Sequence, residues 1–238
     1  MLAHLRDALK QLATTAVLFS TIGYIHGKDS STEFIIPPST LSPDHRYGVM
    51  VPVFHIDQAA ETDDRKNKVV ELQTEHVVAV IQADPGYDRP LNFHEVGPSR
   101  WSPDGSILLW KVNGKWNPDA LVLLKIQKNS AKWQLDVLKT AQQAVLASTR
   151  KAAPEKYLAA KKANAGNGSA FPDGFTIDVT TDGEDSKTVS LPLTVHADLT
   201  ANPKEIENFP NLDSHLDAVV TEDGAFVIKS FQLGRRDQ

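Results

Sequence analysis

The chain of 238 residues contains no cysteine, which excludes disulfides, thiolate zinc sites and cysteine nucleophiles together. Many exported bacterial proteins also lack cysteine, so the compartment stays open. Basic charge is not in excess either: 25 Lys and Arg stand against 30 Asp and Glu, a net charge of -5. Binding of nucleic acid by phosphate neutralisation is therefore not expected. No apolar run approaches the roughly 20 residues of a comfortable membrane span. Neither an H-E-x-x-H helix nor an EF-hand loop is present, so no metal is predicted. Ser148-Thr149-Arg150-Lys151 matches Ser-x-x-Lys, but the Ser-Asp-Asn and Lys-Thr-Gly partners of that catalytic set are missing. The glycine pair at Gly23 and Gly27 before Lys28 is one residue short of a P-loop and lacks its closing Ser or Thr. No cofactor is predicted.

What the chain does contain is a duplication. LSPDHRYGVMV at residues 41–51 recurs sixty residues later as WSPDGSILLWK at 101–111. Each copy joins a Ser-Pro-Asp turn, Ser42-Pro43-Asp44 or Ser102-Pro103-Asp104, to an apolar strand. Proline presets the turn and aspartate can accept from backbone amides two residues on. Glycine supplies a positive φ where one is needed, and the first copy has His45 in that place.

The first 27 residues read differently from the rest. Arg6 and Lys10 outweigh the single acid Asp7, and residues 12–25 are then uncharged and mostly apolar. A basic start before an apolar run of about 7–15 residues is the pattern of a secretory signal. Residues 1–27 are expected to be a signal peptide or an uncleaved anchor, and 28–40 a linker. With no cysteine after them, a bacterial lipid anchor is excluded. Residues 41–238 are expected to form one domain.

Within that domain, strands are predicted over 47–55, 68–72, 76–82, 107–112 and 120–127, with 57–67 a charged, exposed hairpin loop. Asn113-Gly114 signals a hairpin between the last two strands. Residues 131–166 carry a helical period through Leu135, Leu138, Ala141, Gln142 and Val145. Pro154 should split this segment into two helices, the first packing on the β repeats. Residues 173–235 return to alternation, with hairpins and a turn at Glu222-Asp223-Gly224. The fold class expected is α+β: mainly antiparallel sheet, with one long helical segment between two β regions.

The motif WSPDGSILLWK resembles the start of a blade in WD-like propeller repeats of the TolB type, which open on Ser-Pro-Asp-Gly before an apolar strand. His45 departs from that pattern, and the likeness covers less than half of the chain. Two units cannot close a ring that needs at least four blades, so it implies two blade-like sheets and not a closed propeller. Such repeats imply binding surfaces, although fold alone does not carry function. As a whole the chain is similar to exported bacterial proteins, a likeness that supplies no activity.

Candidate site residues come from loop composition. Residues 83–100 carry Pro85, Pro90 and Pro98 together with Tyr87, Asp88, Arg89, Asn92, His94 and Glu95. A long proline-braced loop of this kind is a place to look for binding. Of the four tryptophans, Trp101, Trp110 and Trp133 are expected in the core and Trp116 beside the Asn113-Gly114 turn is the exposed binding candidate. The acidic turn at Asp182, Glu184 and Asp185 reads as solvated. The lysines of the helical segment are expected in water, near the acidic C-terminal hairpins, the alternative being that the basic helix docks on an anionic envelope surface.

These readings favour a non-enzymatic, exported binding or scaffold module of the cell envelope, with an unknown protein or envelope polymer as partner. Membrane contact would run only through the N-terminal segment, if uncleaved. The alternative is a hydrolase of an envelope substrate with Asp88, His94 and Glu95 as acid/base candidates. A third possibility is a structural piece that dimerises to complete its sheet contacts. A reporter active only outside the cytoplasm, fused after Lys28, is expected to show activity. A silent but stably produced fusion would refute export.

Overall fold

A computed structural model describes residues 34–52, 66–82, 99–113, 118–163, 172–183, 186–201 and 212–236. The described strands form three four-stranded antiparallel sheets, each in chain order. The first contains β1 (Phe34–Ile35), β2 (Tyr47–Pro52), β3 (Lys68–Glu71) and β4 (His76–Val80). The second contains β5 (Arg100–Trp101), β6 (Ile107–Asn113), β7 (Pro118–Gln127) and β8 (Ser130–Asp136). Helices α1 (Val137–Ala152) and α2 (Pro154–Ala163) follow. The third sheet is β9 (Phe175–Thr181), β10 (Leu193–Ala201), β11 (Asp213–Val220) and β12 (Phe226–Leu233). The expected α+β class holds, and the sheets do not close into a ring.

The duplication extends to single hydrogen bonds. Ser42 Oγ donates to Asp44 Oδ1 at 2.6 Å, and Ser102 Oγ to Asp104 Oδ1 at 2.5 Å. Each serine oxygen then accepts the amide five residues on, from Tyr47 or Ile107, at 2.9 Å. Each aspartate accepts an amide two residues on, from Arg46 or Ser106, at 3.1 Å. His45 adopts φ 56° where Gly105 adopts 67°, so histidine accepts a left-handed conformation that glycine takes without steric cost. The two turns also touch, because a Cβ added at Gly105 would lie 3.2 Å from Asp44 Oδ1. Trp101 crosses between the units. Its Nε1 donates to Thr40 O at 3.0 Å, and its ring stacks on Tyr47 at 6.1 Å between centroids.

Alternation in the middle sheet serves two cores. Leu108, Trp110 and Val112 on β6, with Val122 and Leu124 on β7, pack with Val49, Val51 and Val69 of the first sheet. The residues between them, Ile107, Leu109, Leu121 and Leu123, point the other way and join α1 and the third sheet. A sheet buried on both faces needs continuous apolar strands, and "ILLW" and "ALVLL" supply them. Trp101 and Trp110 are buried, as expected for core residues.

The helical segment begins later than its period suggests. Residues 130–136 form β8, and Leu135, counted in the helical stripe, lies on that strand. The cause is a two-residue hairpin at Lys128 and Asn129, whose φ values of 52° and 57° match the right-handed twist of the flanking strands. Lys-Asn is not the glycine-containing pair that usually marks this turn. Tertiary contacts hold it instead: Asn129 Nδ2 donates to Glu71 Oε1 at 2.7 Å, and its Oδ1 accepts from Tyr47 OH at 3.0 Å and from Arg46. β8 runs straight into α1 at Asp136, whose carboxylate caps the helix by accepting from Lys139 N at 2.9 Å. Asn67 corrects a second expectation: assigned to an exposed loop, it is 3% exposed. Its backbone carbonyl accepts from Ile81, which draws it into the end of β3–β4.

α1 buries Val137, Leu138, Ala141, Val145 and Thr149, mostly on the third sheet as well as on β7 of the second repeat. Thr149 Oγ1 donates to Val145 O at 2.7 Å, so the 2.6 Å contact with Ser214 Oγ has Ser214 as donor. Pro154 opens α2 as predicted. Tyr157 fastens that helix by donating to Asp173 Oδ2 at 2.6 Å and packing on Phe175. The turn at Thr221-Glu222-Asp223-Gly224 reuses the hydroxyl–carboxylate contact of the two serine turns. It rests on β8, where Trp133 covers Gly224 so closely that an added Cβ would meet the ring at 2.8 Å. Lys125 Nζ binds Glu222 Oε2 at 2.6 Å beside it.

Trp101→Ala is expected to lower unfolding free energy by about 3–5 kcal/mol, through lost volume and the orphaned Thr40 carbonyl. Gly105→Ala should cost about 1–2 kcal/mol, because alanine resists a φ of 67°. Urea titration of both variants checks the order; equal losses would contradict this account of the turn.

Candidate functional site

Tyr87, Asp88, Arg89, Asn92, His94, Glu95 and Trp116 all lie outside the described residues. Among the described residues, polar groups concentrate on the outer face of the third sheet. The strands alternate inward apolar with outward polar residues, so β10 presents His196 and Asp198 while β11 presents His215 and Asp217. Register does the rest. His196 is directly opposite Asp217, which is directly opposite Ser230 on β12. Directly opposed residues on one face are close enough to bond.

The result is one connected cluster. His196 Nδ1 lies 2.7 Å from Asp217 Oδ1, and His196 Nε2 lies 3.0 Å from Asp182 Oδ1. Ser230 Oγ donates to Asp217 Oδ2 at 2.7 Å. The Arg236 guanidinium donates to Asp217 Oδ1 at 2.9 Å and to Asp198 Oδ1 at 3.2 Å. Asp182 is positioned from the middle sheet: Arg100 donates to its carbonyl at 3.0 Å and to Thr181 Oγ1 at 3.1 Å.

Protonation follows from these contacts. Burial alone would push His196 down, but bonds to Asp182 and Asp217 outweigh it and hold the imidazole above its usual range. Burial likewise opposes ionisation of Asp217, yet His196, Ser230 and Arg236 together hold its carboxyl far below the usual carboxylate range. The bond from His196 lowers Asp182 as well. An imidazolium with a carboxylate on each nitrogen is the state this geometry accommodates.

A Ser-His-Asp nucleophile requires the serine hydroxyl to donate to the imidazole. Here Ser230 donates to Asp217, and both imidazole nitrogens already face carboxylates. The order of groups is therefore wrong for proton abstraction from Ser230. Among the described residues no cluster of three or more His, Asp or Glu side chains is arranged to hold a metal ion. The acids of the three turns are similarly committed. Asp104 is lowered first by its bond from Ser102, Asp223 by its bond from Thr221, and in Asp44 the Ser42 and Arg46 bonds exceed the opposing effect of burial.

The composition of the C-terminal third is visibly acidic, but the cluster needs strand register to be seen. The available signal was the alternation "LTVHADL" and "DSHLDAV", which places histidine and aspartate on one face. Asp182, read as part of a solvated turn, is 64% exposed and still engages His196; Glu184 and Asp185 lie outside the described residues. No protein-family model matches the chain, and no curated protein or solved structure is similar to it.

The raised His196 stabilises the fold most below its unfolded value near 6.5, and that contribution disappears as pH rises through its folded value. The lowered Asp217 and Asp182 contribute above about 4 and lose that contribution only as pH falls through their folded values. The stability difference between wild type and His196→Gln should therefore be largest between about pH 4 and 6.5 and shrink as the pH rises through the raised value of His196. Thermal melts across that range check it, and a pH-independent difference would show that His196 acts by packing alone.

Proposed function

We propose that this chain is a non-enzymatic binding or scaffold module that works in the cell envelope, after export. The observation supporting it most is the use of acid–base groups as fasteners. Asp44 and Asp104 hold turns, Glu71 holds the Asn129 hairpin, and Asp217 holds three partners on the outer sheet face. Catalysis needs groups left poised for substrate. A stack of sheets in which these acids are engaged internally suits presentation of surfaces instead.

The segment 83–100, read as a loop from its composition, is the proposed contact region, with Tyr87, Asp88, Arg89, Asn92, His94 and Glu95 joined by Trp116. The tagged full chain, crosslinked in its native cells, is expected to bring one envelope partner at constant stoichiometry. Tyr87→Ala combined with His94→Ala should lose that partner while the protein stays folded. Recovery of the chain alone, with release of soluble product from purified envelope material, would overturn the proposal in favour of the hydrolase reading.

A further inference from the structure

The exposed side of the helical pair carries charge opposite to that of the protein as a whole. Between Arg150 and Lys162 stand five basic side chains and one acid, Glu155, in a chain of net charge -5. All six are exposed. Lys161 is neutralised by Asp173 at 2.6 Å. Among the described residues, Lys151, Lys156 and Lys162 make no ion pair, and Arg150 reaches Tyr157 and Asp173 only at longer range. Among the ion pairs of the third sheet, Asp182, Asp198, Asp213 and Asp217 are taken by His196, Arg235 and Arg236 and not by the lysines of the helices.

α2 shows what this face accepts. Only Tyr157 and Ala160 are buried, so the helix turns one narrow stripe inward. Leu158, 57% exposed, stands on the opposite side with Lys162 one turn on. Lys161, three residues on, neighbours it, as does Glu155, three residues before, while Lys156 emerges on another side of the helix. Lys156 also lines a groove of about 540 Å³ at the α1–α2 junction, beside Leu233, itself 47% exposed, and Arg235.

We infer that this helical face docks on a membrane surface bearing anionic phospholipid, by a contact separate from residues 1–27. Cations spread over two helices match a diffuse negative surface better than a single point charge. Lysine stems can lie along the headgroup layer while Leu158 enters the acyl boundary. One exposed leucine gives little insertion, so the association is mainly electrostatic, reversible and sensitive to salt. The inference stands on the helices and does not depend on export or on the 83–100 segment.

Flotation of the full chain with vesicles tests it. Vesicles of phosphatidylcholine alone measure any contribution of the N-terminal apolar segment, which salt should not change. Vesicles containing phosphatidylglycerol should bind more, and the excess should vanish at about 0.5 M salt. Each basic residue removed should weaken that excess roughly fivefold. The variant combining Lys151→Gln, Lys156→Gln and Lys162→Gln should therefore lose it by about a hundredfold, with an unchanged melting temperature. Leu158→Gln should weaken it further than an exposed-surface change elsewhere. Equal binding to both vesicle types, or a triple variant that binds like wild type, would overturn the proposal. So would displacement by polyglutamate combined with an inert Leu158→Gln, which would make an acidic polypeptide the occupant instead.

Discussion

The central strands of the middle sheet, β6 and β7, are covered on both faces, and that constraint organises the rest of the molecule. One set of its side chains, including Leu108, Trp110 and Val122, must be covered by the first sheet. The alternate set, including Leu109 and Leu123, must be covered by α1 and the third sheet. Exposing either set would cost about 1.5–3 kcal/mol per large side chain. The second face of the first sheet buries Phe34, Met50 and Val70 against Ile36 and Leu72. The third sheet, by contrast, turns an outer face to solvent and carries polar residues there. The His196–Asp217 cluster exists on such a free face.

Fastening between the layers is done by few contacts, each with a definite partner. Trp101 reaches the Thr40 carbonyl, Asn129 reaches Tyr47 and Glu71, and Arg100 holds the backbone of Asp182. Lys125 and Trp133 receive the β11–β12 turn. Most of these reach across more than fifty residues of sequence, so each one orders a whole layer rather than a local loop. β12, the outer edge of the third sheet, carries exposed Val227 and Ile228. Its register shifts between Asp217 and Ala218, which leaves Lys229 without a direct partner on β11. A bulge and a lysine on an edge strand oppose further strand addition.

Charge is separated along the same lines. The acids lie mainly in turns and on the outer third sheet, where hydroxyls, His196 and arginines engage them. Lys151, Lys156 and Lys162 of α1 and α2 are left facing water. Internal pairing thus neutralises much of the acidic side locally, and the protein's net charge of -5 understates how basic the helical face is.

The sequence by itself determined what is decided within about five residues. The Ser-Pro-Asp turns close through contacts from Ser42 to Tyr47 and from Ser102 to Ile107, and their chemistry is readable in either copy. Strict alternation in β9 and β10, the apolar runs of β6 and β7, and the Pro154 break are local in the same sense. Tertiary structure decided what depends on a distant partner. Lys128-Asn129 becomes a hairpin because Tyr47, Arg46 and Glu71 hold Asn129, and that turns residues 130–136 into a strand that a helical period alone would have absorbed. His196 and Ser230 both reach Asp217 only because three strands align in one register. A lateral pairing of strands is a property of the assembled sheet, and no single strand's sequence encodes which residue will stand opposite.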